Sequence, residues 1–469
     1  MVSRREAYEF QADEHTPTPE PIVSSDSPDV KKTSRVKDRD DVKVFTYKHA
    51  IPVHTTAVPS ILAKDAPPQS YRGFLTLAML VLLATNIRLV IENLLKYGVL
   101  VTLPSRTISD KDWVLFSLVF IFLQFSILLS LLIEKMLSRS NGSVIWVLLH
   151  WANICSLIVV PTYTVYFVIF HPLVGGVAMS LSLILFLKLA SFLLVNSDLR
   201  RAYFANNGDK VPANSVDYPN NLTVSNYYYF IVAPTLCYQI SYPRSEKIRI
   251  GFVMKRLSEC FLSNLFTYFL VVQYAIPTLR NASSLQGDAP PSPIFVVERV
   301  LKLSTISVTV WLLGFYSLFH SFLNATAELL RFGDRNFYQP WWNSSSLSQY
   351  WRLWNQPVHQ WMKRHLYVPG VSAGYPGWFM LGVTFFFSAV FHELLFGVAV
   401  HSIQGYAFWG MLAQIPLIML TSLLVKWRGR NSSAGNVVFW LSFCILGQPF
   451  LVVLYYYDWT RRNPAVISN

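Results

Sequence analysis

Long uncharged apolar runs constrain the fold of this chain more than any other feature. A run of about 20 apolar residues is long enough for a helix to cross a membrane. Nine such spans are predicted near residues 74–101, 113–133, 144–160, 163–187, 260–279, 303–327, 378–400, 406–425 and 437–457. The uncharged run between Arg139 and Lys188 could also be divided differently. We therefore expect an all-α polytopic membrane protein with about nine transmembrane helices.

Composition excludes an ordinary soluble globule and argues against nucleic acid. The 469 residues are 53% hydrophobic and 14% charged, with a mean hydropathy of +0.36, whereas soluble domains carry roughly 25% charged residues. The net charge of +13 comes from short basic clusters beside the apolar runs, as the positive-inside rule predicts for membrane proteins. The four cysteines form no CxxC pair, so neither a zinc site nor a disulfide framework is expected.

The chain is predicted to divide into a tail, a membrane domain and a short end. Residues 1–70 are rich in charge, Ser, Thr and Pro and are predicted to be largely disordered. Residues 71–460 form the membrane domain, and 461–469 a short C-terminal tail. The N-terminus has no apolar h-region, so no cleavable signal peptide is expected.

Basic loops predict the orientation in the membrane. Lys and Arg cluster in residues 196–259, 331–375 and 426–436. If 144–187 crosses the membrane twice, these three segments share one side, which the positive-inside rule makes cytosolic. The N-terminus is then cytosolic and the C-terminus lumenal.

The segment Phe332–Trp361 carries five tryptophans between two long apolar runs. An apolar stripe at steps of three and four predicts an amphipathic helix that lies in the membrane interface; its members are Leu347, Tyr350, Trp351, Trp354, Val358, Trp361 and His365. Asn355 and His359 share a face, with a kink expected at Pro357. An interfacial anchor without catalytic function explains the same pattern.

His392 is the polar residue placed most unusually, because it lies well inside an apolar run. Glu393 is its neighbour and Ser388 lies one turn before it. Ionisable groups inside a membrane are functional candidates by default, and a neutral histidine is well suited to accept a proton. A buried histidine bonded to another span is the alternative. Gln414 and Gln448 are expected to point inward, either lining the same cavity or bonding between helices.

Three other polar sites in the spans have structural explanations. Arg88 and Glu92 are four residues apart and can neutralise each other. Lys188 is placed at the end of a span, from which it can reach the interface. His320 and Asn324 form another pair with this spacing, for which a helix-packing hydrogen bond is favoured.

Three motifs resemble those of the membrane-bound O-acyltransferase family: FYQPWWN at Phe337–Asn343, WNQPVHQW at Trp354–Trp361 and SAVFHE at Ser388–Glu393. The resemblance is to the branch that esterifies sterols and diacylglycerol. Further stretches, which favour the diacylglycerol enzymes, begin at Tyr71, Asn86, Tyr218, Gly410 and Gly435. The likeness extends over roughly residues 70 to 460.

The resemblance implies that a fatty acyl group passes from acyl-CoA to the hydroxyl of diacylglycerol, giving triacylglycerol in the endoplasmic reticulum membrane. It also implies an intramembrane reaction chamber and a homo-oligomer, with acyl-CoA as a co-substrate and no metal or bound cofactor. His392 corresponds to the catalytic histidine and Asn355 to the residue that helps to place the thioester. Predicted chamber or substrate-binding residues are His359, Glu393, Gln414, Gln448, Ser388, Trp354, Arg364 and Lys363.

These residue types suit the chemistry that the resemblance implies. An alcohol is a weak nucleophile, so a base such as His392 must take its proton as it attacks the thioester. Asn355 is a candidate donor to the oxyanion, and Glu393 a candidate to orient the imidazole. CoA is anionic and is expected to approach Arg352, Lys363 and Arg364 from the cytosol.

The chain departs from the family pattern at two places. Pro340 stands where relatives usually have Asp, so the loop must be held in another way. Residues 369–377 contain no basic residue, although relatives often have them there to meet the CoA phosphates.

Alternative functions are a sterol O-acyltransferase, a proton-coupled transporter and an inactive lipid-binding relative. The stretch from Tyr218 to Arg244 argues against the sterol enzyme. Transporters tend to show internal repeats, and none is found in the sequence.

Overall fold

The computed structural model describes residues 72–101, 108–140, 143–205, 218–284, 293–429 and 434–462. The predicted tail and the last seven residues lie outside this part of the chain. Two compact units are distinguished, residues 1–82 and 83–469. Of the first unit only the beginning of one helix is described, so the architecture below is that of the second unit.

Helices make up nearly all of the described structure, with one isolated β-bridge between Arg244 and Phe332. In chain order the α-helices are α1 (Arg72–Tyr97), α2 (Asp110–Arg139), α3 (Val144–Phe167), α4 (Pro172–Ala205), α5 (Val224–Val232), α6 (Ile250–Leu270), α7 (Ile276–Ser284), α8 (Pro293–Phe315), α9 (Leu323–Leu329), α10 (Leu347–Leu353), α11 (Gln356–Met362), α12 (Val368–Ser372), α13 (Gly377–Phe396), α14 (Tyr406–Leu412), α15 (Gln414–Arg428), α16 (Ala434–Leu441) and α17 (Gln448–Arg462).

Four π-helical segments connect consecutive α-helices: Val271–Ala275, Tyr316–Phe322, Lys363–Tyr367 and Ser442–Gly447. A π-helix has a wider turn than an α-helix, and such segments are frequent at functional sites. They join α6 to α7, α8 to α9, α11 to α12 and α16 to α17 without a loop.

Nine helical stretches in the described residues are long and apolar enough to cross a membrane: Thr76–Tyr97, Asp110–Arg139, Val144–Phe167, Pro172–Ala205, Ile250–Arg280, Val297–Leu329, Gly377–Phe396, Tyr406–Trp427 and Gly435–Trp459. The predicted fold class is therefore confirmed in its helical character and its nine spans. The enclosed reaction chamber stays a prediction.

The boundary between the third and fourth spans was predicted wrongly. The expected break near Pro161 is absent, because α3 continues through this proline to Phe167; transmembrane helices tolerate the lost backbone bond. The chain turns instead just before Pro172, which begins α4. A carboxylate oxygen of Asp112 accepts the backbone N–H of Phe170 at 3.0 Å and stabilises this turn.

The sequence predicts Lys188 at the end of a span, but the residue lies in the middle of α4. It is buried within α4, and its ammonium donates to the carbonyl oxygens of Phe230 at 2.9 Å and Ala233 at 2.7 Å. These carbonyls belong to the C-terminal end of α5, where a positive charge is favoured. Its role is structural as expected, but it anchors the segment that follows α5 and does not reach the interface.

The other two polar pairs follow the sequence analysis. A guanidinium nitrogen of Arg88 lies 3.7 Å from a carboxylate oxygen of Glu92. The imidazole of His320 bonds across to α6 and to the hydroxyl of Tyr338, while the Asn324 amide donates to the His320 carbonyl. The predicted helix-packing hydrogen bond is therefore made by His320, whereas the bond of the Asn324 amide lies within its own helical stretch.

The tryptophan-rich segment packs against protein. Trp341 and Trp361 are almost completely buried, and the predicted stripe faces the helices around it. The helix breaks at Trp354–Asn355, and Pro357 occupies the second position of α11. The kink predicted at Pro357 is therefore two to three residues too late, because proline is well tolerated in the first turn of a helix.

Candidate active site

His392 lies in the last two turns of α13 and is partly exposed. Its Nδ1 is 2.7 Å from the carbonyl oxygen of Ser388, and the Ser388 hydroxyl is 3.4 Å from the same nitrogen. A carbonyl only accepts hydrogen bonds, so Nδ1 carries a hydrogen, and in the neutral ring Nε2 then carries the lone pair. Nε2 has no hydrogen-bond partner among the described residues. In its neutral form the imidazole would therefore offer Nε2 as its basic nitrogen.

Aromatic side chains fix the helix turn that carries His392. Phe387 stacks on Trp361 of α11 with ring centroids 5.6 Å apart, and Phe391 meets Phe186 of α4 at 5.5 Å. The Trp361 indole N–H also donates to the carbonyl of Leu187 at 2.8 Å. Because these contacts join α13 to α4 and to α11, the tryptophan-rich segment helps to position the histidine.

The carboxylate of Glu393 points away from the imidazole. It accepts four hydrogen bonds, from the backbone N–H groups of Gly405 (2.8 Å), Ala407 (3.1 Å) and Phe408 (3.2 Å) and from the Tyr455 hydroxyl (2.8 Å). Glu393 therefore caps the start of α14 and ties α13 to α17. The expected contact with His392 is not among these bonds, and the Ser388 carbonyl orients the ring instead.

Gly397 makes room for this carboxylate. A Cβ at this position would lie 2.6 Å from Oε1 of Glu393 and 3.0 Å from the carbonyl oxygen of Ser402. Real Cβ atoms are essentially never so close to other atoms. The turn between α13 and α14 can therefore close tightly over Glu393 only with glycine here.

Asn355 is the N-cap of α11 and is half-buried. Its side-chain oxygen accepts the backbone N–H of Val358 at 3.2 Å, and no hydrogen bond from its NH₂ group is found among the described residues, so both N–H donors are available to a ligand. The neighbouring Trp354 packs among Trp311, Phe319 and Tyr350, whose ring centroids lie 5.7–6.2 Å from its own. The break between α10 and α11 thus exposes a polar amide beside a rigid aromatic cluster.

Basic and imidazole groups follow Asn355 along α11 and the π segment Lys363–Tyr367. Burial, with Lys363 and Arg352 nearby, lowers the pKa of His359. Burial, with a smaller effect of Arg364, lowers the pKa of His365 to about 4. Both imidazoles are therefore neutral at pH 7, and the charge of this region comes from the Lys and Arg side chains.

His365 and Arg364 attach the π segment to the rest of the protein. Nε2 of His365 lies 2.8 Å from the hydroxyl of Ser191, which accepts the backbone N–H of Tyr238 at 2.8 Å. The Arg364 guanidinium donates to the Tyr238 carbonyl at 3.0 Å. Lys363 is exposed. The segment after α5 therefore links α4 to the basic end of α11.

The remaining candidates are not joined to His392 by any hydrogen bond in the described part of the chain. The amide of Gln414, the first residue of α15, donates to Gly410 within the same helical region at 3.2 Å. Gln448 begins α17 directly after a π segment and is half-buried. Asn355 bonds within α11 as its N-cap, and the His359 imidazole has no hydrogen bond to another described residue. The shared cavity expected for these groups stays a prediction.

No group of three His, Cys, Asp or Glu side chains in the described ranges is suited to bind a metal ion. The expectation that the reaction uses neither metal nor bound cofactor stays a prediction.

Comparison with known proteins identifies the family. A sequence model of the membrane-bound O-acyltransferase family matches residues 181–456, more than half of the chain. The chain belongs to the membrane-bound O-acyltransferase family.

Individual members of this family are similar over most of their length. Diacylglycerol O-acyltransferase 1 of Arabidopsis thaliana is 40% identical over 429 residues, which cover 90% of this chain and 80% of the relative. The protein of the same name from Corylus americana is 39% identical, covering 89% and 78%. Diacylglycerol O-acyltransferase 1A of Glycine max is 37% identical, covering 94% and 89%.

Within this membrane-bound O-acyltransferase, sequence reasoning missed several residues that hold the site. Tyr455 and Gly397 support Glu393, and Ser191 anchors His365. Only Gly397 gave a usable signal, because a glycine next to the end of an apolar run indicates a close approach. The contacts of Tyr455 and Ser191 are formed over 62 and 174 residues of sequence, so no local pattern could reveal them.

Proposed function

We propose that this membrane-bound O-acyltransferase transfers a fatty acyl group from acyl-CoA to the free hydroxyl of diacylglycerol, with Nε2 of His392 as the general base. The observation that carries the proposal is the bond from Nδ1 of His392 to the Ser388 carbonyl, which places the lone pair of the neutral ring on Nε2, a nitrogen with no hydrogen-bond partner among the described residues. The names and the similarity of the relatives support diacylglycerol as the acceptor.

In the proposed reaction, Nε2 of His392 removes the hydroxyl proton while the alcohol oxygen forms a bond to the thioester carbonyl carbon. The C–S bond then breaks as the tetrahedral intermediate collapses. The leaving thiolate takes the proton from Nε2, so that triacylglycerol and CoA are released and the imidazole is neutral again. No net proton is consumed, and the apolar surroundings of α13 keep competing water away.

We propose that the Asn355 amide donates to the developing oxyanion. Its oxygen caps α11, which fixes the side chain and leaves the NH₂ group to donate to a ligand. Donors aimed at a forming negative charge in a dry site typically contribute 10²–10³-fold in rate. Asn355→Asp would retain the cap but bring a negative charge to the oxyanion, and we expect it to be less active than Asn355→Ser.

The CoA phosphates are proposed to bind near Arg352, Lys363 and Arg364. In the described residues none of these cations is paired with a carboxylate, whereas Arg249 and Arg335 both pair with Glu328. Arg352 lies in the last turn of α10, and Lys363 is the C-cap of α11, the helix whose N-terminus Asn355 caps. They supply the positive charge that residues 369–377 lack.

The acceptor can be tested in microsomes from a host that makes no triacylglycerol of its own. Labelled acyl-CoA is supplied with diacylglycerol or with cholesterol, and His392→Ala serves as the inactive control. We expect labelled triacylglycerol from the wild type alone. Labelled cholesteryl ester in place of triacylglycerol would refute the proposed acceptor, and equal product from the control would refute the proposed base.

The CoA site has its own test. Lys363→Gln is expected to raise KM for acyl-CoA several-fold with little change in kcat, and the effect should shrink at high salt because ions screen exposed charges. Lys363→Arg retains the charge and should remain close to the wild type. An unchanged KM in Lys363→Gln would remove this residue from the proposed phosphate site.

We further propose the endoplasmic reticulum membrane as the location, with a cytosolic N-terminus and a lumenal C-terminus, and a homo-oligomeric state. The orientation is supported by the basic residues that surround α10 and α11, since positive charge marks the cytosolic side. Protease protection of epitope tags at the two ends tests the orientation, and the mass of the purified protein in detergent tests the oligomer.

A further inference from the structure

A polar cluster outside the candidate active site joins α6 to the π segment Tyr316–Phe322 and to Tyr338 in the FYQPWWN motif. Arg256 forms an ion pair with Glu259 at 2.9 Å, and its guanidinium also donates to Nε2 of His320. Nδ1 of His320 is 2.7 Å from the hydroxyl oxygen of Tyr338. Arg256 is buried, so Glu259 and His320 are needed to satisfy its guanidinium.

The chemistry of the partners fixes the direction of these bonds. A guanidinium has donors only, so Nε2 of His320 must accept and the ring's hydrogen lies on Nδ1. Nδ1 therefore donates to the oxygen of Tyr338. The Tyr338 ring is held in addition by Phe315, with centroids 5.1 Å apart and the planes nearly perpendicular. The side chain of Tyr338 thus has one defined position.

Backbone hydrogen bonds connect Tyr338 to the segment that carries Asn355. Two hydrogen bonds join the residues on either side of Tyr338 to those around Asn355: from the Gln356 N–H to the Phe337 carbonyl at 3.0 Å, and from the Gln339 N–H to the Leu353 carbonyl at 2.8 Å. Tyr338 therefore lies directly opposite the break between α10 and α11. A shift of its side chain would move the segment that presents the Asn355 amide.

We propose that His320 is a positioning residue for acyl transfer, which acts through Tyr338 to set the place of the Asn355 amide. The inference rests on the proposed role of Asn355 as oxyanion donor. It also gives a physical account of how the motif is held although Pro340 offers no carboxylate. The first half of the motif is held by His320, and the second half by Asn436, whose amide donates to the carbonyls of Trp342 and Ser344 at 3.1 and 2.9 Å.

Tyr338→Phe removes only the hydroxyl that His320 holds. Tyr316→Phe is the matched control, because its hydroxyl donates to Glu259 in the same cluster at 3.0 Å and does not contact the motif. We expect Tyr338→Phe to lower kcat about tenfold with KM for acyl-CoA nearly unchanged, since a displaced catalytic group costs rate more than binding. Tyr316→Phe should remain within about twofold of the wild type. Equal losses of kcat in the two variants would overturn the proposal, because they would indicate general destabilisation of the cluster.

The route through Asn355 is tested in the double variant. If His320 and Tyr338 act by placing Asn355, then Tyr338→Phe should cause no further loss of kcat in an Asn355→Ala background, because coupled residues are not additive. A further tenfold loss there would overturn this inference alone. Wild-type kcat in Asn355→Ala itself would overturn the proposed role of Asn355 and the inference with it.

His320 variants give a second readout. His320→Gln can still donate to Tyr338 and should retain more activity than His320→Ala, and both should lose their effect in Tyr338→Phe. If His320→Ala is slower than wild type by the same factor with or without the Tyr338 hydroxyl, His320 acts by another path and the proposal fails.

Discussion

The neighbouring residues His392 and Glu393 of α13 differ in burial and in hydrogen bonding. Glu393 is buried and accepts four hydrogen bonds from α14, the turn before it and α17. His392 uses one ring nitrogen within its own helix and leaves the other free. One face of the helix is therefore fixed by long-range bonds and the other is left chemically available. The comparison suggests that the anchored face holds the reactive one in place.

Removal of the His392 imidazole should produce the largest change in activity. We expect His392→Ala to lower kcat by about 10³-fold, because general base catalysis typically contributes 10²–10⁴-fold. The thermal midpoint in detergent should move little, since Nε2 bonds to no described residue. The measurements are single-turnover acyl transfer and a thermal unfolding curve. A large drop in the midpoint would show that the histidine is a packing residue.

Removal of the Glu393 carboxylate should have the opposite effect, with a larger loss of stability than His392→Ala causes. Glu393→Ala would leave the backbone N–H groups of Gly405 and Phe408 and the Tyr455 hydroxyl without their acceptor, while the Ala407 N–H could still donate to the Tyr455 oxygen. We expect a cost of about 3 kcal/mol or more in the free energy of unfolding. We expect a clearly lowered thermal midpoint, with activity reduced in the surviving folded fraction. Glu393→Gln retains one acceptor oxygen and should fall between Ala and the wild type. A normal midpoint in Glu393→Ala would contradict the anchoring role.

Gly397→Ala disturbs the same anchor without removing a polar atom. Its Cβ would meet Oε1 of Glu393 and the Ser402 carbonyl, so the turn must open. Overpacking of this kind costs about 1–3 kcal/mol. Gly382→Ala, in the same helix with no atom near its Cβ, is the control and should match the wild type in thermal midpoint. Equal stability of the two variants would mean that the turn is not close-packed.

Ser388→Ala should have the smallest effect. The variant loses the hydroxyl 3.4 Å from Nδ1 but retains the backbone carbonyl that fixes the tautomer of His392. We expect kcat to stay within about threefold of the wild type, as measured by acyl transfer to diacylglycerol. A loss comparable to that in His392→Ala would show that the hydroxyl, and not the carbonyl, orients the ring.

The sequence was sufficient for the helical fold because hydropathy and helix length are local properties. The nine spans were recognised from runs of about 20 residues. The boundary errors have a common cause, which is a polar contact made by a distant residue. Asp112 holds the turn before α4, and Lys188 is buried because the end of α5 offers it two carbonyls.

The candidate site was predicted in its residue types and less well in their contacts. His392 was identified because an ionisable group in an apolar run is costly without a purpose, and Asn355 because the motif that contains it resembles that of the family. Glu393 was expected to touch the imidazole because the two are adjacent in sequence. Neighbouring side chains on a helix point about 100° apart, however. The Glu393 carboxylate therefore faces the start of α14, a contact that depends on three-dimensional packing and not on sequence distance.

The π segments have a consequence for how this chain can change length. Each segment shifts the angular phase of the helix that follows it, since its turn is wider than that of an α-helix. Loss of one residue from Lys363–Tyr367 would let α11 and α12 continue as one α-helix with nearly the same phase, because a π turn accommodates about one more residue than an α turn. The same loss inside α11, where no wide turn absorbs it, would rotate everything beyond by about 100°. One-residue changes in length should therefore be tolerated better at the π segments than inside the α-helices that they join.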